Sequence, residues 1–264
     1  MRPVRWAVTT VRDPTPAERA AADACAARFG VGSLERGGRS LASLATAGEA
    51  EALLVLGARR AALYVDGEER AWQAGMGELR LRRLLRGEPA GAQRTADPFL
   101  AAAGLRAGDA LLDATLGLGM DALVAAGAVG ERGRVLAAEA SAPLAALVAE
   151  GLARHPSPAA RRVEVVAADA AALLAGLPDR SFDVVAFDPM FRHARAQGAG
   201  FDLVRRLGDA RPLAPETLAR ARRVCRRWVV VKDGTPGWDL ARLGLAPLPS
   251  ARGAHRLYAR LPPA

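Results

Sequence analysis

The sequence predicts an α/β protein with a doubly wound parallel sheet, preceded by a small α+β segment. In the larger, carboxyl-terminal part, strand-like apolar runs alternate with helical ones, which is typical of a parallel sheet covered on both faces. Right-handed crossovers then make such a sheet doubly wound. A glycine pair follows the first of these runs, at the edge where sheets of this kind bind their ligands.

The composition indicates a globular chain with a polyanionic partner. The chain has 264 residues, 51% of them hydrophobic, which is enough for a sizeable core in one large domain or two small ones. No apolar stretch has the length of a membrane span or of a signal-peptide core, so we expect a cytoplasmic protein that binds no membrane. The 37 basic residues exceed the 28 acidic ones, which favours nucleic acid as partner. Lys232 is the one lysine among them.

The amino-terminal segment, residues 1–90, is predicted to be a small α+β domain. Its strand-like runs lie at residues 4–10, 52–56 and 61–65, and its helices lie at 16–29 and 77–86. Turn-rich residues 87–93 then link this segment to a second domain, residues 95–264.

The helix at 77–86 carries a face of arginines. Its leucines and arginines fall on opposite sides of a helical wheel, with Leu81, Leu84 and Leu85 against Arg80, Arg82, Arg83 and Arg86. Such a face is either solvated or a ridge that contacts a nucleic-acid backbone. The segment as a whole has three open roles, which are to bind RNA, to cap the ligand cleft or to mediate dimerisation.

The second domain is predicted to contain five strands in series, followed by a terminal pair. The five strands lie at residues 110–114, 134–139, 163–167, 182–187 and 228–232. Helices at 120–129 and 142–154 follow the first two strands, and further helices follow the third and fourth. The terminal runs, 244–249 and 255–261, predict two strands joined by a turn.

The stretch "LLDATLGLGMDA", residues 111–122, has two candidate ligands. Gly117 and Gly119, with Ala122, satisfy the G-x-G-x-x-A pattern, and glycine lets a backbone approach a ligand closely. A nicotinamide dinucleotide would place its pyrophosphate against the following helix. S-adenosylmethionine instead has a cationic ammonium and sulfonium. Asp113, at the end of the first strand, suits a cationic ligand and is a poor neighbour for a pyrophosphate.

Two further carboxylates follow the next strands along the chain. Glu139 ends the second strand and is placed to accept hydrogen bonds from ribose hydroxyls of either cofactor. Asp169 follows the third strand and is placed to accept a hydrogen bond from an adenine amine. Either residue alone is more often a helix cap or a surface charge. Together with Asp113, they occupy the ends of three successive strands, which indicates a cofactor cleft.

The stretch "FDVVAFDPMF", residues 182–191, predicts a pocket for a planar amine. The exocyclic amine of a base is a weak nucleophile because its lone pair is delocalised into the ring. The Asp188 carboxylate and the Pro189 carbonyl together provide acceptors for both amine hydrogens, which would orient the lone pair and stabilise the developing positive charge. Phe191 is placed to stack on the base.

These motifs together resemble a known family. Asp113-x-Thr115-x-Gly117-x-Gly119 is similar to motif I of class I S-adenosylmethionine-dependent methyltransferases, with Thr115 where a glycine is often found. With "DPMF" and "VVVK" at 229–232, residues 95–262 resemble an uncharacterised branch of the methyltransferase family that includes the bacterial small-subunit rRNA guanine-N2 methyltransferase. The resemblance implies a Rossmann-like, seven-stranded sheet whose last two strands pair antiparallel. It also implies S-adenosylmethionine as cofactor and methyl transfer to an exocyclic base amine, with guanine N2 in rRNA expected.

The resemblance also implies a role for each motif residue. The residues expected to bind the cofactor are Asp113, Thr115, Gly117 and Gly119 for the methionine part, Glu139 for the ribose and Asp169 for the adenine. The expected catalytic residues are Asp188, Pro189 and Phe191, and the expected substrate contacts are Met190, His193, Lys232, Arg80 and Arg83. Lys232 ends the fifth strand near the same rim, and it either touches the substrate or is an exposed charge at a strand end.

Several alternatives stay open at the level of sequence. Another amine acceptor, in DNA, a protein or a small molecule, fits the Asp-Pro-Met-Phe motif as well. A nicotinamide oxidoreductase and a non-catalytic RNA-binding protein are alternatives outside the family. Asp113 and the Asp-Pro-Met-Phe turn argue against an oxidoreductase, and intact Asp113 and Asp188 argue against a non-catalytic protein. No cluster of metal ligands is evident, so we expect no metal site, and the sequence leaves both a monomer and a homodimer open.

Overall fold

The computed structural model describes residues 4–87, 97–189, 201–250 and 254–264. The amino-terminal residues build a five-stranded sheet in the order β2-β1-β3-β4-β5. Its strands are β1 (Trp6–Thr10), β2 (Gly32–Ser33), β3 (Ala52–Gly57), β4 (Arg60–Val65) and β5 (Glu68–Ala71), with helices α1 (Pro16–Phe29), α2 (Leu41–Ala47) and α3 (Gly75–Leu85). The first three strands run parallel, whereas β3, β4 and β5 form an antiparallel meander.

Local chemistry fixes the ends of these elements. Helix α1 begins at a capping box, in which the Thr15 side chain accepts from the Glu18 backbone N–H and the Glu18 side chain accepts from the Thr15 backbone N–H. Between β4 and β5, Asp66 and Gly67 adopt φ values of 50° and 81°, as a two-residue hairpin turn of this twist requires.

The remaining residues build a second, six-stranded sheet in the order β11-β10-β9-β6-β7-β8. Its strands are β6 (Ala110–Asp113), β7 (Arg134–Glu139), β8 (Val163–Ala167), β9 (Phe182–Phe187), β10 (Cys225–Gly234) and β11 (Arg256–Leu261). Its helices are α4 (Pro98–Ala103), α5 (Met120–Val129), α6 (Ala142–Ala153), α7 (Ala170–Gly176), α8 (Phe201–Leu207), α9 (Pro215–Val224) and α10 (Trp238–Arg242). All neighbouring strands are parallel except β11, which runs antiparallel to β10. The predicted doubly wound α/β class is confirmed.

Apolar clusters cover both faces of the second sheet. Leu111 and Leu112 are adjacent in β6 and both fully buried, but they belong to different clusters because successive side chains of a strand point to opposite faces. Leu111 packs with the residues of α5, and Leu112 packs with those of α9. No helix in the described ranges combines the length and apolarity that a membrane crossing needs.

The prediction of a strand at residues 244–249 is wrong. Within the described ranges these residues have no regular structure, so the sheet has six strands there rather than seven. Pro247 and Pro249 lack the backbone N–H that a ladder needs, and the Leu248 N–H alone reaches the Tyr258 carbonyl, at 2.7 Å. The antiparallel partner of β11 is β10, with six residue pairs in register.

The end of the amino-terminal segment packs closely on the second sheet's helices. A Cβ built on Gly127 of α5 would lie 2.4 Å from Leu81 of α3, and one built on Gly151 of α6 would lie 2.2 Å from Trp72, so both glycines make room for these side chains. The Trp72 indole N–H also donates to the Leu118 carbonyl at 3.1 Å. A Cβ on Gly77 of α3 would lie 3.0 Å from the Met120 Cα, so the start of α3 lies beside the loop that contains Gly117 and Gly119.

Candidate active site

The loops after β6, β7, β8, β9 and β10 share the carboxyl edge of the second sheet. The first of them holds the glycine pair, with φ of +54° at Gly117 and +77° at Gly119. A Cβ on Gly119 would lie 2.8 Å from the Val148 side chain, whereas one on Gly117 would meet nothing within 4 Å. Gly119 is thus needed for packing of the loop, and Gly117 faces open space where a ligand could approach.

Asp113 ends β6 as a buried carboxylate, and none of the described residues bonds a cation to it. Within the described residues, its one hydrogen bond comes from the Thr115 N–H, at 3.2 Å. Burial raises the pKa of Asp113 to about 7, and the nearby Asp121 and Asp188 carboxylates add to the increase. A cationic ligand beside Asp113 would relieve this cost, so the site suits a positively charged group.

Glu139 ties the glycine loop to β7. One of its carboxylate oxygens accepts the Gly117 N–H at 3.0 Å, and the other accepts the Ser141 N–H at 2.9 Å. Burial raises the pKa of Glu139 although these bonds oppose the increase. A carboxylate has about four acceptor positions, so Glu139 keeps acceptor capacity for ligand hydroxyls.

Asp169 follows β8 and caps α7. One oxygen accepts the Ala172 N–H at 3.0 Å, and the other accepts from the Arg211 guanidinium at 2.5 Å. These bonds lower the pKa of Asp169, with the backbone bond as the main cause. Arg211 also pairs with Asp209. Asp169 is therefore a helix cap, which is the commoner role of such a residue. Its contact with an adenine stays a prediction.

Asp188 joins the Asp-Pro turn after β9 to the glycine loop after β6. Its backbone N–H donates to the Thr115 hydroxyl at 2.6 Å, which places the Asp-Pro turn against the glycine loop. Its carboxylate forms an ion pair with the Lys232 ammonium. Lys232 is 8% exposed and also pairs with Asp121 at 2.9 Å, so it is a buried cation in the site and not an exposed charge. Pro189 is buried, whereas Met190, Phe191 and His193 lie outside the described residues.

The helical wheel placed Arg80 on the exposed arginine face of α3, but its side chain points inward. Its side chain is 19% exposed and binds Asp121 at 2.5 Å and Asp97 at 2.6 Å. It is therefore not part of the exposed arginine face, which Arg82 and Arg83 do occupy with Arg86. The wheel treats α3 as an isolated helix, and carboxylates from α5 and from the start of α4 draw Arg80 inward. Leu85 was expected on the apolar side but is 61% exposed.

Together these contacts form a continuous charge network at the active-site edge. We define the charge network as Asp97, Arg80, Asp121, Lys232 and Asp188. The two carboxylates that flank Lys232 raise its pKa although burial opposes them. Lys232 and Arg80 likewise lower the pKa of Asp121 against burial, whereas burial raises the pKa of Asp188. Three carboxylates against two cations leave the charge network with a negative excess, to which Asp113 adds.

Two residues at this edge were missed by sequence reasoning. Asp121 lies in the first turn of α5, where an acidic residue is ordinary because it complements the helix dipole. Trp238 follows β10 and is 65% exposed. The buried Asp233 carboxylate fixes the start of α10 beside it by accepting the Asp239 and Leu240 N–H groups at 2.8 and 3.1 Å. An exposed tryptophan beyond a strand's carboxyl end gives no sequence signal of its own.

Comparison with known proteins identifies the family. Residues 48–242 match the family model described as "Putative SAM-dependent methyltransferase", where SAM is S-adenosylmethionine. The chain belongs to this family. The matched range of this SAM-dependent methyltransferase begins ahead of β3, so it includes part of the first sheet as well as the candidate site.

Two curated proteins are similar in sequence to this methyltransferase. The uncharacterized protein YpiP of Bacillus subtilis (strain 168) is 38% identical over 188 residues, which cover 69% of this chain and 70% of YpiP. Ribosomal RNA small subunit methyltransferase J of Laribacter hongkongensis (strain HLHK9) is 40% identical over 168 residues, which cover 58% of this chain and 57% of that protein. The chain thus spans little more than half of the rRNA enzyme.

A solved structure supports the fold. The crystal structure of a SAM-dependent methyltransferase from Neisseria gonorrhoeae superposes with a TM-score of 0.64, covering 97% of this chain and 95% of that chain. Its sequence is 22% identical, so the likeness concerns the fold alone.

S-adenosylmethionine is the cofactor of this methyltransferase, and the carboxyl edge of the second sheet has the chemistry to hold it. Asp113 supplies a buried carboxylate that lacks a bonded cation among the described residues, and Glu139 has acceptor capacity left. A Cβ on Gly117 would meet only open space. A ligand with a cationic end and a hydroxylated sugar matches these three features.

Proposed function

We propose that this methyltransferase acts on the exocyclic amine of a nucleobase in RNA, with guanine N2 of rRNA as the expected target. One observation carries the proposal. The Asp188–Thr115 hydrogen bond of 2.6 Å holds the Asp188-Pro189 turn directly against the glycine loop. A methyl donor held by that loop and an amine held by Asp188 would therefore be neighbours, as group transfer requires.

The residues of the chain would act by orientation and charge. S-adenosylmethionine supplies the methyl group. Asp188 and the Pro189 carbonyl accept the two amine hydrogens, so that the nitrogen lone pair points away from the base plane toward the donor. Lys232 holds the Asp188 carboxylate in place through its ion pair. In this proposal Asp113, Thr115, Gly117 and Gly119 bind the methionine part of the cofactor, with Glu139 on the ribose and Asp169 on the adenine.

An RNA acceptor is supported by the surface around the site. The basic residues exceed the acidic ones, and Arg83 is exposed on α3, the helix that packs along α5. Trp238 presents an exposed indole at the same edge of the sheet, where a base could stack on it. The similar protein of Laribacter hongkongensis is named as an rRNA methyltransferase. In the proposal, residues 1–90 form a domain that contributes RNA contacts, and residues 95–264 form the methyltransferase domain.

The test is transfer of a labelled methyl group to rRNA from a strain that lacks this gene. The protein is incubated with methyl-labelled S-adenosylmethionine and that rRNA, and the nucleosides are separated by mass spectrometry. We expect N2-methylguanosine as the labelled product. Label in a ring carbon, in a ribose or in no nucleoside would refute the proposal, and label in another amine-bearing base would correct the target.

Asp188→Asn tests the proposed acceptor contact. Loss of this charge should lower kcat by about 10²-fold while the affinity for S-adenosylhomocysteine stays within about threefold. Asp66→Asn is the matched control, because Asp66 is an exposed carboxylate in the β4–β5 turn and its φ of 50° suits asparagine. An Asp188→Asn variant with the kcat of the control would count against the mechanism.

Arg83→Ala tests the proposed RNA contact. Removal of one phosphate contact should reduce the slope of log affinity against log salt by about 0.7 to 0.9. Arg59→Ala, in the exposed β3–β4 turn, is the control and should leave the slope unchanged. Equal slopes for both variants would exclude Arg83 from the interface.

A further inference from the structure

The charge network runs from the amino-terminal segment into the acceptor pocket. Asp97, at the start of α4, binds Arg80 of α3 through two hydrogen bonds of 2.6 and 3.0 Å. Arg80 binds Asp121 of α5 at 2.5 Å, and Asp121 binds Lys232 of β10 at 2.9 Å. Lys232 then binds Asp188. Each cation lies between two carboxylates, and each of these contacts joins a different pair of elements.

Stability alone is a weak reason for such an arrangement. Taking charges out of water costs several kcal/mol per ion, and a buried ion pair often contributes no more than apolar side chains of the same size. The four inner side chains, those of Asp97, Arg80, Asp121 and Lys232, are each less than a fifth exposed, so this cost applies to them. What the contacts do provide is geometry, because a hydrogen-bonded pair fixes the direction of both partners.

The charge network ends at the Asp188 carboxylate. One of its oxygens, Oδ2, accepts from the Lys232 ammonium. Within the described residues no hydrogen bond occupies the other oxygen, Oδ1. Among the described residues, Lys232 thus takes one side of the carboxylate, and the other side is the one we assign to an acceptor amine. The second partner of Lys232 is Asp121, and the second partner of Asp121 is Arg80.

We infer that Asp121 and Arg80 are positioning residues of the acceptor pocket, which hold Lys232 against Asp188 so that one carboxylate oxygen stays free for the amine. The inference rests on the proposed function for the identity of the amine. It assigns the amino-terminal segment a part in the chemistry, since Arg80 of α3 acts on Asp188 through two intermediate side chains.

The single lysine of the chain provides a direct test. Protein labelled with ¹⁵N and ¹³C at the lysine side chain gives one lysine side-chain signal, that of Lys232, in the intact chain. Asp121→Asn and Arg80→Ala should both shift this signal and accelerate exchange of the ammonium hydrogens with water. Arg80→Lys adds a second lysine signal, from residue 80, and should return the Lys232 signal part of the way to its wild-type position. Arg82→Ala is the matched control, because Arg82 lies on the same helix, is 63% exposed and pairs with Glu78.

Kinetics test the consequence for the acceptor pocket. With rRNA as acceptor, Asp121→Asn and Arg80→Ala should lower kcat by about 10²-fold, as a misplaced acceptor group does, while S-adenosylhomocysteine binds within about threefold of wild type. Arg59→Ala, in the exposed β3–β4 turn, should keep the wild-type kcat. Asp121→Asn preserves side-chain shape, so it serves if Arg80→Ala does not fold.

The outcomes separate this inference from the proposed function. An unchanged lysine signal in a folded Asp121→Asn variant overturns the inference, as does an unchanged kcat. If the wild-type protein transfers no methyl group to rRNA but binds S-adenosylhomocysteine, the proposed function fails. The lysine signal then decides alone whether Asp121 and Arg80 position Lys232.

Discussion

The buried Asp113 carboxylate should make cofactor affinity depend on pH near neutrality. Burial raises its pKa from 3.8 to about 7, and Asp121 and Asp188 add to the increase. A cationic ligand end favours the ionised form of Asp113, and the protonated form lacks the charge that attracts it. Raising the pH through 7 should therefore strengthen binding of S-adenosylmethionine.

The expected size follows from the pKa. With a pKa of about 7, about a tenth of the Asp113 side chains are ionised at pH 6 and about nine tenths at pH 8. If only the ionised form binds well, affinity rises about tenfold between these values, and binding at pH 7 releases about half a proton.

The folded chain also holds this proton more tightly than the unfolded chain does. Stability contributed by protonated Asp113 is thus complete below pH 4 and is lost as the pH rises to about 7. The loss amounts to about 4 kcal/mol at most. Asp113→Asn should therefore be more stable than wild type above pH 7 and nearly equal to it at pH 4.

Calorimetry with S-adenosylhomocysteine, which has the same ammonium, measures the binding effect. Titrations at pH 6, 7 and 8 in two buffers of different ionisation enthalpy give the affinity and the proton release together. Asp113→Asn should bind weakly and lose the pH dependence, whereas Asp66→Asn should keep both. Equal wild-type affinity at pH 6 and pH 8 would refute the assignment of the cationic end to Asp113.

Three further predictions concern the same edge of the sheet. Gly119→Ala should destabilise the fold by more than the roughly 1–2 kcal/mol cost of its positive φ, because its Cβ would lie 2.8 Å from Val148. Gly117→Ala should mainly lower cofactor affinity. Thermal unfolding measures the first effect and calorimetry the second. Trp238→Ala should weaken RNA binding by about 1–3 kcal/mol without changing S-adenosylhomocysteine affinity, and equal RNA affinity in a filter-binding assay would exclude stacking there. Lys232→Arg should lower kcat although it keeps the charge, and a wild-type kcat would show that a positive charge at this position suffices whatever its shape.

The sequence predicted the second sheet better than the first. Strands β7, β8 and β9 and helix α5 have the predicted bounds, because their apolar runs are long and separated by clear turns. Strand β2 has two exposed residues, and β5 reads "EERA", so neither has an apolar pattern. They are strands because their neighbours pair with them, and pairing between distant residues leaves no local signal.

The candidate site was predictable only where strand order determines position. Asp113, Glu139 and Asp188 follow strands that are parallel neighbours, so their meeting at one edge follows from topology. The contacts of Arg80 could not be predicted from the topology of the sheet. Its partner Asp121 is 41 residues away, and no periodicity within α3 predicts a carboxylate on another helix. The roles of these residues toward cofactor and substrate stay predictions.

The one lysine in an arginine-rich chain occupies a position that an arginine would fill poorly. An ammonium is a compact charge with three donors, and Lys232 directs them at carboxylates from two elements, Asp121 of α5 and Asp188 after β9. A guanidinium is a planar fork that matches one carboxylate in a bidentate pair, as Arg80 does with Asp97. The two cations of the charge network, Arg80 and Lys232, thus differ in the geometry of their donors. Arg80 forms a bidentate pair with Asp97 and a further hydrogen bond to Asp121. Lys232 donates both to Asp121 and to Asp188, the carboxylate proposed to face the acceptor.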